Sequence, residues 1–314
     1  MFVISRIDYH IYRKLYGWAY WGSVALLALV PMIGIEVNGA RRWIEIGSMQ
    51  LQPSEIAKIG LIIAAAGYLA NNKDKLGSLW HGFLKPFIYL MLPIGILVVF
   101  QNHLSVSIVI AIITSVMMVV AGTRLIYFVV FGGIGSAAGI VGMFIMAQKT
   151  GQGSFRWDRV MAFLDPWADA KGDGWQITQS LYAIGSGGLF GAGLGQSKQK
   201  YLYLPFPHND FIFSVLAEEL GFVGCTVVII LFAIFIWRGV LTAIKAPDTF
   251  GSFLAIGITT LVGIQAIINI AVVTNSMPVT GMPLPFFSYG GTALLILLCS
   301  MGVLLNISRQ TKKI

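Results

Sequence analysis

The sequence predicts an all-α polytopic membrane protein of about eight transmembrane helices, with one long extracytoplasmic loop. Three observations lead there. The chain is 57% hydrophobic and only 11% charged, too little charge to cover a soluble fold of 314 residues. Its apolar residues come in runs of about 20, the length that crosses the hydrocarbon core as a helix. Its lysines and arginines are unevenly shared between alternate loops, as the positive-inside rule requires.

The expected spans are Trp18–Gly34, Pro53–Ala70, Phe83–Gln101, Leu104–Ala121, Leu125–Ala147, Phe211–Val240, Phe253–Val273 and Phe287–Ile307. With the amino end inside, the inner segments hold Arg6, Arg13, Lys14, Lys73, Lys75, Lys85, Arg124, Arg238, Lys245, Arg309, Lys312 and Lys313. The short outer loops hold only Arg41 and Arg42. Both termini are therefore expected on the cytoplasmic side. The formal charge of +8 reads as this topology signal, and no soluble basic module suited to nucleic acid is visible. Cys225 and Cys299 lie in apolar runs without metal-like spacing. The first residues are polar and basic, and no cleavable signal is expected. The whole chain, 1–314, reads as one membrane domain.

The loop over 148–209 collects the polar and special-geometry residues: Arg156-Trp-Asp-Arg159, Asp165-Pro-Trp-Ala-Asp169, and a glycine-rich run from Gly185 to Gly195. Loops this long are functional or disordered, and the aromatics and Gln176-Ile-Thr-Gln-Ser-Leu-Tyr-Ala argue for short ordered helices. Asp210 opens the sixth span, where a carboxylate either caps the helix or does chemistry. Glu218 and Glu219 follow roughly 12 Å deeper along the same helix. Two adjacent carboxylates at that depth need a cavity, a basic partner or a proton. Glu55 and Lys58, three apart, can pair along one face of the second span. Before them, Val37 to Gly47 alternates polar and apolar residues after an Asn-Gly turn and predicts a small outer β-hairpin. Arg41 and Arg42 on it either touch lipid phosphate or clamp an anionic substrate of the outer leaflet. The Pro- and Gly-rich stretch from Asn275 to Gly291 is irregular backbone in an apolar setting, which belongs against a cavity. His208, beside Asp210, is the one histidine placed to matter.

Four blocks, taken together, resemble the SEDS family, the FtsW, RodA and SpoVE group. They are Asn38-Gly-Ala-Arg-Arg-Trp43 with Gln52-Pro-Ser-Glu-Ile-Ala-Lys58; Asp165-Pro-Trp and the run Gly174 to Lys200; Asp210-Phe-Ile-Phe through Glu218-Glu-Leu-Gly-Phe222; and Pro278-Val-Thr-Gly through Phe286-Phe-Ser-Tyr-Gly-Gly291. Pro278-Val-Thr-Gly and Ala246-Pro-Asp-Thr-Phe-Gly-Ser-Phe253 are closer to the division and sporulation branch. Family members generally have ten spans, so the chain is expected to begin near the end of the family's second. Two family blocks are altered: an acid near the aspartate is replaced by Phe206, and Pro-Asp-Leu-Gly reads Asn102-His-Leu-Ser105.

The resemblance implies an inverting peptidoglycan glycosyltransferase of the bacterial cytoplasmic membrane. Its substrate would be lipid II, the undecaprenyl diphosphate-linked disaccharide-pentapeptide, and its partner a class B penicillin-binding protein; membrane lipids surround it. Asp210 matches the family's essential aspartate and would be the general base. Arg42 and Lys58 match the family's basic residues and would neutralise the diphosphate, with a divalent cation the one cofactor left open. Gln52, Glu55, Gln176, Gln179, Lys198, Lys200, Ser288 and Tyr289 complete the substrate-binding set that the matched blocks imply. Two other classes of function stay open on sequence: a lipid II transporter using Glu218, Glu219, Glu55 and Lys58 as a polar path, and a non-catalytic scaffold for a penicillin-binding protein.

Overall fold

A computed structural model of the chain describes residues 1–37, 40–47, 49–133, 135, 155–172, 174–202, 204–205 and 208–311. The Asn38-Gly39 turn, most of the second half of the fifth expected span, Lys149, Phe206, Lys312 and Lys313 lie outside them. The described residues are overwhelmingly helical. In chain order the main helices are α1 (Tyr16–Ile33), α2 (Pro53–Asn71), α3 (Lys85–Val99, entered by a π-helical turn Leu79–Leu84), α4 (Leu104–Val120), α5 (125–133), α6 (Phe155–Leu164), α7 (Trp175–Gly187), α8 (Gln199–Leu202), α9 (Ile212–Ile244), α10 (Thr249–Val273) and α11 (Gly291–Gln310).

Among the described residues, six helices are long and apolar enough to cross a membrane, namely α1, α2, α3 with its π turn, α9, α10 and α11. The fourth expected span, α4, is apolar but shorter. The fifth expected span begins as α5 and then runs out of the described residues. The last span starts at Gly291 instead of Phe287, because the residues before it are engaged in a turn described below. Contacts divide the chain into two compact units, one of Met1–Tyr127, Phe235–Ile264 and Gly290–Ile314, the other of Phe128–Ile234 and Gln265–Tyr289.

In the first unit, α2 is the central helix, with Ala57, Leu61, Ile62, Ala66 and Leu69 buried. A side chain at Gly60 would meet Ser23 of α1, so small residues set how closely these helices approach. The predicted hairpin is present and gains a strand: β1 (Ile35–Val37), β2 (Ala40–Ile46) and β3 (Met49–Leu51) form an antiparallel sheet in that order. Ile35 faces Trp43 and Ile44 faces Leu51. The third strand escapes a pattern reading because Met-Gln-Leu is too short to show alternation. Pro53 then fixes the start of α2, where a missing N–H costs nothing. Both chain ends meet in this unit: Asn306 Oδ1 accepts from the Tyr9 amide at 3.1 Å, and its Nδ2 donates to the Ser5 carbonyl at 2.9 Å.

The second unit contains the one feature that a helix count does not anticipate. Helix α9 breaks at Gly221, which has φ 66° and ψ −166°. A break there releases two carbonyls and two amides from the helical ladder, and in hydrocarbon each needs a protein partner. The glycine-rich segment after α7 supplies all four. Ala192 N donates to Glu218 O at 2.9 Å and Gly193 N to Glu219 O at 3.1 Å. Gly188 O and Leu189 O accept from Phe222 N at 2.9 Å and Val223 N at 3.1 Å. The contact is backbone on backbone: a Cβ at Gly221 would lie 2.4 Å from the Gly191 amide nitrogen, and one at Gly191 would lie 2.2 Å from the Glu219 carbonyl oxygen.

This predicts a sharp contrast between two substitutions. Gly221→Ala combines a forbidden dihedral with a backbone clash and should cost more than about 3 kcal/mol. Gly95→Ala, in α3 with no atom within 4 Å of the new Cβ, should be neutral or slightly stabilising. Thermal unfolding of the two variants in detergent reads the difference, and equal melting temperatures would refute this account of the break.

Candidate active site

Asp210 sits in the turn 208–211 ahead of α9, and its main chain is clasped by the Pro- and Gly-rich segment after α10. Three consecutive carbonyls are taken up. His208 O accepts from the Tyr289 amide at 2.7 Å, Asn209 O from Ser288 Oγ at 2.6 Å, and Asp210 O from Asn269 Nδ2 at 2.7 Å. Ser288 Oγ also accepts from the Leu284 amide, and Asn269 Nδ2 also donates to the Met282 carbonyl. One turn into α9, Ser214 Oγ and Ser180 Oγ of α7 lie 2.6 Å apart, and Ser180 donates to the Val273 carbonyl at the end of α10. The aspartate is thus held by its backbone from two elements, and its side chain is left over.

That side chain bears on one of the two readings the sequence left open, the helix cap. The Asp210 carboxylate accepts no hydrogen bond from the described residues, so it does not cap α9. Gly281, at φ 66°, faces it, and a Cβ there would lie 3.3 Å from Oδ2. Burial pushes the Asp210 carboxyl above the usual range for a carboxylate, and the Arg159 guanidinium partly opposes this. Arg159, on α6, is itself anchored by a 3.0 Å bond from Nη1 to the Val279 carbonyl, and burial holds its pKa below the ordinary arginine value. The sequence motif Arg156-Trp-Asp-Arg159 was visible, but nothing in its spacing pointed Arg159 at Asp210.

The other expected residues of this unit divide by exposure and pairing. Tyr289 is 84% exposed, and its amide rather than its ring serves the clasp. Gln179 is buried on α7, while Gln176 is partly exposed. Glu218 and Glu219 both find protein partners. Glu218 accepts from Ser197 Oγ and from the Lys198 and Gln199 amides, fixing the start of α8. Glu219 pairs with Lys200 at 2.5 Å and accepts from the Gly195 amide. Lys200 is thereby engaged in structure, whereas the Lys198 side chain is exposed.

The first unit holds a second cluster. Lys58 is 1% exposed and bonded to Glu55 at 2.8 Å, a buried pair three residues apart as the spacing predicted. Gln52 stands at the N-cap of α2, where its carbonyl accepts from the Glu55 amide. Arg42 Nε and Nη2 donate to the carbonyls of Gln101 and Asn102 at 3.1 and 2.7 Å. Arg41 lies 3.6 Å from Glu36 at the surface of the sheet. The turn that Arg42 holds leads into His103, which is buried and which stands in the altered block Asn102-His-Leu-Ser105. Among the described residues, no three His, Cys, Asp or Glu side chains converge in a way that could hold a metal ion.

Known proteins with this pattern are numerous. The model of the FtsW, RodA and SpoVE family, described as cell cycle protein, matches residues 1–313. The chain is 42% identical over 320 residues to stage V sporulation protein E of Bacillus subtilis, covering 99% of this chain and 84% of that protein. It is 44% identical over 315 residues to the probable peptidoglycan glycosyltransferase FtsW of Trichlorobacter lovleyi, covering 99% and 80%. Among solved structures it is similar to a chain of a peptidoglycan synthase complex that coordinates polymerization and crosslinking, at TM-score 0.80 and 29% identity, covering 98% and 84%. It is also similar to the rod shape determining protein RodA of Thermus thermophilus, at TM-score 0.69 and 29% identity, covering 100% and 84%. With a family match from end to end and relatives above 40% identity, this chain belongs to the FtsW, RodA and SpoVE family of multi-pass membrane proteins.

Proposed function

We propose that this chain is a peptidoglycan glycosyltransferase that polymerises lipid II, with Asp210 as its general base. The observation that carries the proposal is the carboxylate itself, built into a backbone clasp yet given no hydrogen-bonding task, in a chain whose relatives are named for that reaction. A base near the reacting hydroxyl needs a fixed position and an unengaged lone pair, and Asp210 has both. In the reaction, the acceptor sugar's 4-hydroxyl oxygen bonds to the donor's anomeric carbon. The bond from that carbon to the diphosphate oxygen breaks, the diphosphate leaves with the electron pair, and the hydroxyl proton passes to Asp210. A single displacement inverts the anomeric centre. The leaving group is already good, so the protein's work is positioning and charge. The Arg159 charge favours the ionised form of Asp210 and so opposes the effect of burial.

The match over residues 1–313 supports reading the chain as one membrane domain. Membership of a cell-wall family and the inner bias of lysine and arginine support a bacterial cytoplasmic membrane with both termini inside. Similarity to a chain of a synthase complex that couples polymerization to crosslinking supports a class B penicillin-binding protein as partner.

Three measurements test this. Asp210→Asn should retain the melting temperature and lose about 100- to 10,000-fold in lipid II polymerisation; normal polymerisation would remove the base assignment. The base works deprotonated, so activity should rise with pH, its acid limb lying above the ordinary aspartate pKa. Arg159→Gln removes the opposing charge and should move that limb to higher pH, and a move downward would contradict the electrostatics. In sealed inverted vesicles, a membrane-impermeant thiol reagent should label a cysteine at Lys75 and spare one at Gly47; the reverse result would invert the topology.

A further inference from the structure

In the first unit, α1, α2, α3 and α4 leave a cavity of about 310 Å³ between them. Its inner wall is apolar, formed by Leu61, Ala64 and Leu69 of α2, Leu90 of α3 and Met118 of α4. Its rim is aromatic and polar. Tyr20 Oη donates to the Tyr89 carbonyl at 2.8 Å and Tyr68 Oη to the His81 carbonyl at 2.9 Å, which fixes both rings. Tyr20 meets Trp21 and Tyr89 edge-on, with ring centroids 5.2 and 5.5 Å apart. Trp21 and Tyr89 are themselves exposed, as aromatic residues at a membrane interface are. Along α2 the cavity runs from Asn72 to Leu61, roughly 16 Å at the helical rise and about half of the hydrocarbon core.

Lys85 lines the same cavity and is half-buried there. Among the described residues no carboxylate pairs with it, and its Nζ lies 5.9 Å from the centroid of the Tyr68 ring. Lys58 and Lys200, by contrast, are each bonded to a glutamate. An ammonium group drawn into a membrane span calls for an anion. An apolar cavity between helices excludes water, and in a bilayer its filler is hydrocarbon. One molecule meets both needs, a phosphate carrying an acyl chain. The proportions agree, since such a chain runs from the interface to the middle of the bilayer, as this cavity does. Basic pockets between spans on the cytoplasmic side suit anionic headgroups. The lysine and arginine bias puts the segment from Asn72 to Lys85 on that side. Lipid II reacts at the outer face, so the occupant here is a different lipid.

We propose that this cavity binds an anionic glycerophospholipid of the cytoplasmic leaflet, with one acyl chain between α1, α2, α3 and α4 and the phosphate on Lys85. No covalent bond changes. The bound chain fills the space that the four helices leave open, and the phosphate neutralises the lysine. The inference goes beyond the polymerase reading and does not depend on it.

The test uses the full chain in nanodiscs of phosphatidylcholine with a minor share of phosphatidylglycerol. Native mass spectrometry of the released protein counts the lipids it retains. The parent should keep one phosphatidylglycerol in preference to phosphatidylcholine. Lys85→Gln should weaken this retention about tenfold, whereas Lys73→Gln, at an exposed lysine of the neighbouring turn, should leave it unchanged. Gly17 lines the cavity, and a Cβ there meets no atom within 4 Å, so Gly17→Leu should fill the space and abolish retention. Gly22→Leu, equally uncrowded and outside the lining, should retain the lipid. If Lys85→Gln does not fold, Lys85→Met replaces it, and the two glycine variants decide independently. Equal retention of phosphatidylcholine, or equal losses in Lys85→Gln and Lys73→Gln, overturns the headgroup assignment. Retention that survives Gly17→Leu overturns the placing of the chain. Displacement of phosphatidylglycerol by an equal concentration of undecaprenyl phosphate would give the cavity to a polyprenyl lipid and overturn the glycerophospholipid assignment. Each of these results leaves the role of Asp210 untouched.

Discussion

Backbone that leaves the helix within a membrane has no water to turn to, and this protein is organised around meeting that requirement. At Gly221, four main-chain groups freed by the break in α9 are taken up one for one by the segment from Gly188 to Gly193. Before α9, three successive carbonyls at 208–210 are taken up by Tyr289, Ser288 and Asn269. The same solution serves both places: a segment rich in Gly or Pro is folded against the opening of a helix and satisfies its polar groups. The first instance fixes the helix two turns in, and the second fixes the residue that precedes it.

Once the backbone is satisfied in this way, carboxylates can be sorted by what remains for them to do. Glu218 and Glu219 are bound to Ser197, to amides and to Lys200, which turns two costly intramembrane charges into joints between α8 and α9. Glu55 is committed to Lys58. A polar path for transport would draw on these same residues, and their pairing leaves little for it to use. Asp210 differs because its main chain, not its side chain, carries the structural load. A group that packing does not need, placed where desolvation raises its pKa, is what the proposed general base requires.

Arginine is used in two ways in this protein. Arg42 and Arg159 each spend donors on backbone carbonyls, of Gln101 and Asn102 in one case and of Val279 in the other. That anchoring brings a fixed positive charge close to a titratable group, His103 in the first unit and Asp210 in the second. The planar, permanently charged guanidinium suits this double duty, since it can bond with one edge and exert its field from the whole group.

How much of this was legible beforehand depends on the range of the forces involved. Helices in a bilayer are dictated by local hydropathy over about 20 residues, so most of the spans could be read from sequence, and the Asn-Gly turn with its flanking alternation marked the hairpin. The Glu55–Lys58 pair followed from helical spacing alone, being contained within one helix face. Residue chemistry alone located Asp210 without giving it a role, because capping and catalysis start from the same residue at the same position, and the role came from the family resemblance. Arg159 lies 51 positions from Asp210 by residue number, and no local pattern encodes that approach. His103 was marked only as part of the altered block Asn102-His-Leu-Ser105, and its burial was not legible there because it depends on what surrounds it. The sequence by itself determined a bundle of membrane helices and a family resemblance. Only the tertiary structure decided which charges are consumed by packing and which are left free, because that outcome depends on contacts between segments far apart in the chain.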